Sequence, residues 1–391
     1  MNKHLIDPAA RIQGVEEYYF ASKLREIRQM NLTGETVINL GIGSPDLPPA
    51  AAAIEVLQEQ ALLPENHGYQ PYNGVPELRK AIANWYKRYY SVELDPDREV
   101  LPLFGSKEGL MHIAMAFLGP GDHALVPDPG YPAYAAVTRL AGAKVKTYPL
   151  LPENDWLPDL DYIELMGYEK AKVMWINYPH MPTGKKGSRE LFRQLVQYAR
   201  ANNILLVNDN PYSFILNEEP ISLLETEGAM NISLELNSLS KSHNMAGWRI
   251  GMAASNKDFI SYVLRVKSNM DSGMFRPLQE AAAKALDCDP SWYEQVNKVY
   301  AQRRSLVFEL MDILGCSYDA KQVGLFVWGR IPSKYARGQE LSDLLLEKAD
   351  VFITPGFIFG SMGEQYIRIS LCTTLERLSE SISRVKQISN I

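Results

Sequence analysis

Short apolar runs alternate with helix-length amphipathic segments between about residues 99 and 275. Arg189–Ala201 is the clearest helix, because its apolar residues recur at the spacing of one helical face. The apolar runs predict buried strands, which in chain order are Val100–Phe104, Ala124–Val126, Lys144–Tyr148, Val173–Ile176, Ile204–Val207, Ile232–Leu236 and Arg249–Ala254. Strands that alternate with helices predict an α/β fold, with a mostly parallel sheet covered on both faces.

The pattern changes after Arg276-Pro277, where long helical stretches precede a second set of short strands. The elements predicted in this part are Leu278–Leu286, Trp292–Leu314, Val323–Trp328, Phe352–Thr354, Tyr366–Ser370 and Leu375–Ile388. They indicate a smaller α+β unit, and we expect the N-terminal helix Val15–Met30 to pack against it. We therefore predict a large domain over residues 46–275 and a small domain formed by residues 1–45 and 276–391.

Composition excludes several classes of protein. The chain has 391 residues, 46% of them hydrophobic, so it can bury a large core. Its net charge of −6, without clusters of Lys and Arg, argues against a nucleic-acid partner. No apolar run of about 18 residues could span a membrane, and no signal peptide is evident, so we expect a soluble, cytoplasmic protein. The widely spaced Cys288, Cys316 and Cys372 indicate reduced thiols, with no disulfide and no metal site.

One lysine, Lys241, lies at a position in the sequence where it could form an imine with an aldehyde. In Ser238-Leu-Ser-Lys241 the lysine follows an apolar run and precedes Arg249. A lysine amine condenses with an aldehyde, and Ser238 and Arg249 supply hydrogen-bond donors for a phosphate. An aldehyde that also carries a phosphate is pyridoxal 5'-phosphate (PLP). A lone Ser-x-x-Lys is more often part of a surface loop, so the interpretation depends on the other strand ends.

Three other strand ends carry groups that suit the same cofactor. The segment Gly105–Lys107 opens a predicted helix, whose first N–H groups could bind a phosphate, although its serine could be an ordinary N-cap. Tyr131 lies between turn residues and could stack on a flat ring or simply pack there. Asp209 could keep a pyridine nitrogen protonated, with Tyr212 on the phenolic oxygen, or it could cap a turn. Their consistent placement favours a PLP site.

Six ordered segments resemble those of one family. They are Leu40-Gly-Ile-Gly-Ser-Pro-Asp46, Tyr69-Gln-Pro-Tyr-Asn-Gly74, Gly105-Ser-Lys-Glu-Gly109, Asn177-Tyr-Pro with Pro182-Thr-Gly184, Asp209-Asn-Pro-Tyr212, and Ser238-Leu-Ser-Lys241 with Arg249. From about residue 11 to the C-terminus the chain resembles the class I/II (fold-type I) PLP-dependent aminotransferases. The resemblance implies a large domain with a mostly parallel seven-stranded sheet flanked by helices, and a smaller α+β domain.

The resemblance also implies roles for single residues at the cofactor. Lys241 matches the lysine that forms the internal aldimine and carries the proton. Asp209 matches the partner of the pyridine nitrogen, Tyr212 the partner of the phenolic oxygen, and Tyr131 the stacking aromatic. The other residues implied to bind the cofactor are Ser106, Lys107, Asn177, Ser238 and Arg249.

The same resemblance implies residues that meet the substrate and a second subunit. Arg368, in Tyr366-Ile-Arg-Ile-Ser370, matches the arginine that grips the substrate α-carboxylate. Gly43 matches a backbone N–H beside that carboxylate. Tyr69 matches a tyrosine that reaches the cofactor phosphate of the neighbouring subunit, which implies a homodimer with shared sites.

One position departs from the family pattern. Met181 stands where Asn-Pro-Thr-Gly usually has its asparagine, which donates to the cofactor's phenolic oxygen and helps to seat the substrate carboxylate. A thioether is only a weak acceptor, so we expect substrate binding to be weakened. The neighbouring His180 could replace the missing donor or could simply be solvated.

The resemblance implies transamination of an L-amino acid with a 2-oxo acid, with 2-oxoglutarate as the acceptor, through a Lys241 aldimine. A PLP-dependent C–S or β-lyase is the alternative, because a fold does not determine the reaction. A catalytically degenerate binding protein is a second alternative, which the joint presence of Lys241, Asp209, Tyr212, Arg249 and Arg368 disfavours.

Overall fold

The computed structural model describes residues 6–12, 14–15, 19–34, 36–168 and 171–388. Its helices are α1 Tyr19–Leu32, α2 Ala51–Ala61, α3 Pro76–Tyr90, α4 Ser106–Phe117, α5 Pro132–Leu140, α6 Leu160–Leu165, α7 Arg189–Asn202, α8 Leu239–Ser242, α9 Lys257–Lys267, α10 Arg276–Leu286, α11 Ser291–Ile313, α12 Gly338–Ala349 and α13 Leu375–Val385. Among the helices of these ranges, none is long and apolar enough to cross a membrane.

The strands form three sheets. They are β1 Ile38–Asn39, β2 Val100–Leu103, β3 His123–Asp128, β4 Lys144–Pro149, β5 Ala171–Ile176, β6 Leu205–Asp209, β7 Ser233–Ser238, β8 Gly251–Ala254, β9 Ser317–Tyr318, β10 Phe326–Arg330, β11 Val351–Phe352, β12 Thr354–Pro355 and β13 Tyr366–Ser370. The largest sheet has the order β2-β8-β7-β6-β5-β3-β4. β8 runs antiparallel to β2 and β7, and the other pairs are parallel. The expected mostly parallel, seven-stranded sheet is confirmed.

Alternation along the strands places apolar side chains on both faces of this sheet. Val173 and Trp175 of β5 pack with residues of α4, α5 and α9, whereas Met174 and Ile176 pack with α7. A strand that is buried on both faces carries apolar side chains on both of them. This explains why these strands are near-continuous apolar runs in the sequence.

A smaller antiparallel sheet has the order β12-β13-β10-β9 and shares a core with α11, α12 and α13. The N-terminal segment joins this part of the chain. β1 pairs in parallel with β11, and the Ser370 N–H donates to the Leu40 carbonyl at 2.7 Å. The loop after β1, with Gly41 and Gly43, is therefore held beside β13.

The predicted domain boundaries stay a prediction, and the packing favours moving one of them. Helix α10 begins at Arg276 but packs against α2 and α3, which lie in the predicted large domain. We propose that the large domain extends to Leu286 rather than to residue 275. The predicted N-terminal helix is found as α1, and residues 1–5 and 16–18 of the predicted small domain lie outside the described residues.

Three possible metal ligands, Glu108, His112 and Asp271, come together beside α4. His112 Nε2 lies 2.9 Å from Glu108 Oε1, and Lys267 Nζ lies 2.8 Å from both oxygens of Asp271. The Lys267 ammonium therefore already places a positive charge beside the Asp271 carboxylate.

An ion pair attaches the N-terminal segment to α11. Arg303 Nη1 and Nη2 lie 2.6 and 2.8 Å from the two carboxylate oxygens of Asp46, and Nη1 also donates to the Leu371 carbonyl at 3.1 Å. Arg303 is only 3% exposed. The guanidinium is therefore shielded from water, whereas the Asp46 carboxylate stays partly exposed. The bidentate pair fixes the loop that follows Gly43 against the segment that follows β13.

Removing the Asp46 charge should destabilise the fold, because it leaves the buried Arg303 guanidinium without this counter-ion. We expect Asp46→Asn to lower the free energy of unfolding by about 2 kcal/mol, measured by urea unfolding followed by circular dichroism. Glu93→Gln is the matched control, since it breaks an exposed pair with Lys87 and should leave the midpoint unchanged. Equal midpoints for both variants and the wild type would contradict this role.

Candidate active site

The carboxyl ends of the large-sheet strands border a cavity of about 510 Å³. The predicted site residues that line it are Gly43, Ser106, Lys107, Tyr131, Asn177, Asp209, Tyr212, Ser238, Lys241, Arg249 and Arg368. Tyr69 does not line it and is 93% exposed. Phe20 of α1, Ile42 of the loop after β1 and Phe326 of the smaller sheet complete the walls. The cavity thus lies between the two main sheets.

Lys241 is positioned by the turn from β7 into the short helix α8. Ser238 ends the strand and caps the helix, because its hydroxyl accepts from the Ser240 N–H at 3.1 Å. The Lys241 Nζ donates to the Gly43 carbonyl at 2.5 Å. Burial lowers the pKa of Lys241, and the nearby Arg368 and Arg249 cations act in the same direction, whereas Cys372 and Asp209 act against them. The charged form of the amine is therefore less favoured here than in water.

Asp209 ends β6 as a buried carboxylate. Its Oδ2 accepts from the Tyr134 hydroxyl at 3.0 Å, and its Oδ1 has no hydrogen-bond partner within the described ranges. Burial raises the pKa of Asp209 to about 6, while the hydroxyls of Tyr134 and Ser106 and the nearby Lys241 act against that rise. The Tyr134 ring is itself fixed by stacking on Trp175, with ring centres 5.7 Å apart.

Asn177 ties two loops of the site together. Its side-chain amide donates to the Asp209 carbonyl, and its side-chain oxygen accepts from the Met181 N–H at 2.8 Å. The residue is buried, so both bonds are protected from water. Asn177 therefore orients the end of β6 relative to the loop that carries Met181.

An anion-binding arrangement lies at the start of α4. Gly105 has φ of +90°, and a Cβ at this position would collide with the Arg249 guanidinium. Gly251 of β8 packs directly on the backbone of Gly105 and Ser106. The glycines let an arginine approach the first N–H groups of a twelve-residue helix, where the helix dipole favours negative charge.

Arg368 lies on the opposite wall, among aromatic rings. Its guanidinium carbon is 3.7 Å from the ring centre of Phe326 and 4.6 Å from that of Phe359. Nη2 donates to the Gly41 carbonyl at 2.8 Å, and Nη1 lies 3.2 Å from Met181 Sδ. The residue that departs from the family pattern therefore contacts the guanidinium directly.

His180, the other candidate at this position, is not solvated. It is buried, its Nδ1 lies 2.8 Å from Thr183 Oγ1, and burial lowers the pKa of its imidazole to about 3. It is not among the residues that line the cavity. The structure therefore gives no support to His180 as a substitute donor.

Sequence analysis missed Tyr134, Phe326 and Phe359. Tyr134 had a usable signal, because it follows Tyr131 by one helical turn and so shares its side of α5. Phe326 and Phe359 had no such signal in the sequence, because they reach the cavity from the smaller sheet and from the loop after β12.

A family profile described as Aminotransferase class I and II matches residues 35–385. The chain belongs to this family. The LL-diaminopimelate aminotransferase of Oleidesulfovibrio alaskensis is 41% identical to this aminotransferase over 383 residues, with 97% of this chain and 98% of that one covered. The enzyme of the same name from Dehalococcoides mccartyi is 42% identical over 377 residues, with 96% and 97% covered.

Solved structures show the same fold. The substrate-bound BacF structure from Bacillus subtilis superposes on this aminotransferase with a TM-score of 0.93 and 38% identity, covering 98% of this chain and 97% of that one. A probable N-succinyldiaminopimelate aminotransferase from Thermus thermophilus gives a TM-score of 0.88 at 33% identity, covering 94% and 99%. The protein is a fold-type I, PLP-dependent aminotransferase.

The residues present fit PLP. The unpartnered Oδ1 of Asp209 offers an acceptor for a protonated pyridine nitrogen, and Lys241 offers an amine for the aldehyde. The first N–H groups of α4, with Arg249 beside Gly105, offer donors for the phosphate. An amine, a carboxylate and an anion site in one cavity are the groups that this cofactor requires.

Asp209→Asn should stabilise the cofactor-free protein at neutral pH. The pKa of Asp209 is about 6 in the folded chain against 3.8 as the ordinary value, so the folded state holds a proton that the unfolded state loses between about pH 4 and 6. Stability therefore falls as the pH rises through that window in the wild type but not in the variant.

We expect the variant to be more stable by about 3 kcal/mol at pH 7.5, with a difference that shrinks towards pH 4.5. Urea unfolding of both cofactor-free proteins at the two pH values measures this. A difference that is independent of pH would contradict the buried charge as its cause.

Proposed function

We propose that this aminotransferase moves an amino group from an L-amino acid to a 2-oxo acid, with 2-oxoglutarate as the acceptor. The observation that carries the proposal is that Lys241 and Asp209 line one cavity. Lys241 offers an amine whose charged form is disfavoured by burial, and Asp209 offers a carboxylate oxygen without a partner in the described part of the chain. When bound, PLP supplies an electron sink for the substrate α-carbon.

In this proposal Asp209 stabilises the proton on the cofactor ring, and Lys241 transfers the proton of the substrate α-carbon. With PLP bound, Asp209 Oδ1 would accept a hydrogen bond from the protonated ring nitrogen, and its negative charge would favour that proton. The Tyr134 hydroxyl, which donates to Oδ2, holds the carboxylate in place. Lys241 Nζ takes the proton from the substrate α-carbon and returns it, first as a base and then as an acid. The Gly43 carbonyl, 2.5 Å away, orients the amine.

Other residues hold the cofactor in the orientation that these transfers need. We propose that Tyr131 stacks on the ring and that Tyr212 donates to the phenolic oxygen, while Asn177 fixes the end of β6. The phosphate ligands in this proposal are Ser106, Lys107, Ser238 and Arg249. Their support is that they line the same cavity around the start of α4.

Arg368 is proposed to bind the substrate α-carboxylate, assisted by the Gly43 backbone N–H. Its support is a buried guanidinium that lines the cavity and is held between the rings of Phe326 and Phe359. A planar guanidinium matches a carboxylate with two parallel hydrogen bonds. The contact with Met181 Sδ is weak, so a carboxylate can replace it.

We also propose a cytoplasmic homodimer in which Tyr69 reaches the cofactor phosphate of the neighbouring site. Tyr69 is 93% exposed, and Leu62, Tyr72 and Phe275 are further exposed apolar side chains of the surrounding chain segments. Large apolar side chains in water are typical of a surface that a second subunit covers.

Lys241→Ala should abolish catalysis without unfolding the protein. We expect the variant to show none of the visible absorbance that PLP gains when it is bound to the wild type, and to have kcat lower by at least about a thousandfold. The exposed Lys144→Ala is the control and should behave as the wild type. Retained turnover in Lys241→Ala would remove the role assigned to this lysine.

The stoichiometry of a single half-reaction separates transamination from the lyase alternative. With an L-amino acid alone, a transaminase releases one 2-oxo acid per site and no ammonia, whereas a lyase continues to turn over and releases ammonia. LL-diaminopimelate is the first donor to test, because relatives carry that name. Leucine, methionine and phenylalanine are the comparators, since Phe20, Ile42 and Phe326 form an apolar wall.

Met181→Asn should strengthen substrate binding, because an amide can donate hydrogen bonds to the substrate carboxylate and to the cofactor's phenolic oxygen, whereas a thioether cannot donate. We expect KM to fall by about tenfold or more, and the pKa of the visible absorbance change of the loaded enzyme to fall as well. Met181→Leu, of similar volume, is the control and should change neither. An unchanged pKa in Met181→Asn, found by spectrophotometric pH titration, would contradict this role.

A further inference from the structure

Asp128 joins the end of β3 to the loop after β12, beside the cavity. Its Oδ2 accepts from the Ser361 N–H at 3.1 Å and from the Ser361 hydroxyl at 2.7 Å. Its Oδ1 accepts from the Met362 N–H at 3.0 Å. Close by, the Gly130 N–H donates to the Phe359 carbonyl at 2.8 Å. These hydrogen bonds connect two segments that lie more than 200 positions apart in the chain.

Both sides of this contact are well supported. Asp128 pairs with Pro149 in the large sheet, and its carbonyl accepts from the Leu150 N–H at 2.7 Å. The opposite loop consists of two 3-10 turns, Gly356–Phe359 and Ser361–Gly363, joined by Gly360. Gly360 has φ of +132°, and a Cβ there would collide with the Asp128 carboxylate. Glycine is therefore required for the carboxylate to come this close.

The anchored loop carries a wall of the active site. Phe359 is buried, lines the cavity, and lies 4.6 Å from the guanidinium carbon of Arg368. Its ring also meets Trp328 edge to face at 5.9 Å. On the other side of the contact, Tyr131 follows Asp128 closely in the chain and lines the cavity too. The position of Asp128 therefore sets the distance between the cavity wall that carries Phe359 and the wall that carries Tyr131.

We propose that Asp128 is a positioning residue for substrate binding. It anchors the loop after β12, so that Phe359 holds the Arg368 guanidinium ready for the α-carboxylate. Asp128 is not among the residues that line the cavity, so it acts through Phe359. The proposal rests on the role proposed above for Arg368. A binding group that is already ordered loses less conformational entropy when the substrate arrives.

Asp128→Ala tests this role in the PLP-loaded enzyme. We expect KM for the preferred amino donor to rise about tenfold, equivalent to about 1.4 kcal/mol of binding free energy. We expect kcat to change much less and the visible absorbance of the bound cofactor to stay unchanged. Asp122→Ala is the matched control at the other end of β3: Asp122 accepts from the Gly119 N–H and pairs with Lys172, and its loss should leave KM unchanged.

A double-mutant cycle with Ser361→Ala tests the contact itself and does not depend on activity. Urea unfolding should show that the effects of Asp128→Ala and Ser361→Ala are less than additive, because each removes the same hydrogen bond. If Asp128→Ala does not fold, Asp128→Asn with Ser361→Ala carries the test through KM. Additive unfolding effects, or wild-type KM in the folded Asp128 variants, would overturn the anchoring role.

The outcomes separate the two levels of the proposal. A wild-type enzyme that transaminates, together with an unaffected Asp128 variant, refutes only the anchoring role. A wild-type enzyme without transamination refutes the proposed function, and the unfolding cycle then still decides whether Asp128 anchors the loop.

Discussion

Asp209 is a buried carboxylate that has few hydrogen-bond donors for its two oxygens. Tyr134 satisfies one oxygen, and within the described residues the other has no donor. Burial of a partly satisfied charge is costly, and the raised pKa of Asp209 reflects that cost. A ligand that places a protonated nitrogen beside Oδ1 offsets part of the free-energy cost of this burial. In the proposed site, cofactor binding and stability would therefore be linked through Asp209 Oδ1.

The opposite wall of the cavity is organised by a cation among aromatic rings. Arg368 projects from the smaller sheet and is held by Phe326 and Phe359, while the Gly41 carbonyl accepts one of its N–H groups. The loop that contains Gly41 is in turn fixed by the pair between Asp46 and Arg303. The proposed substrate site therefore depends on three chain segments that meet only in the folded protein.

Membership of the family establishes the cofactor and the reaction class, but the side chain of the donor depends on the rest of the cavity. Relatives at about 40% identity carry the name LL-diaminopimelate aminotransferase. In this chain, Phe20, Ile42 and Phe326 give that part of the cavity an apolar wall, and Met181 replaces a polar residue beside Arg368. The donor therefore depends on these side chains and not on the fold alone.

The apolar pattern was enough to predict the seven strands of the large sheet and the positions of Lys241, Asp209 and Ser106 at strand ends. Apolar periodicity is local, and parallel strands bring their carboxyl ends to one edge. It could not place α10 with α2 and α3, nor bring Phe359 to Arg368 or Asp128 to the loop after β12. Those contacts join segments that are distant in the chain. They depend on how side chains fit together and form hydrogen bonds, which leaves no periodic pattern in the sequence. These contacts form only in the folded chain, where the elements that carry them are brought together by packing.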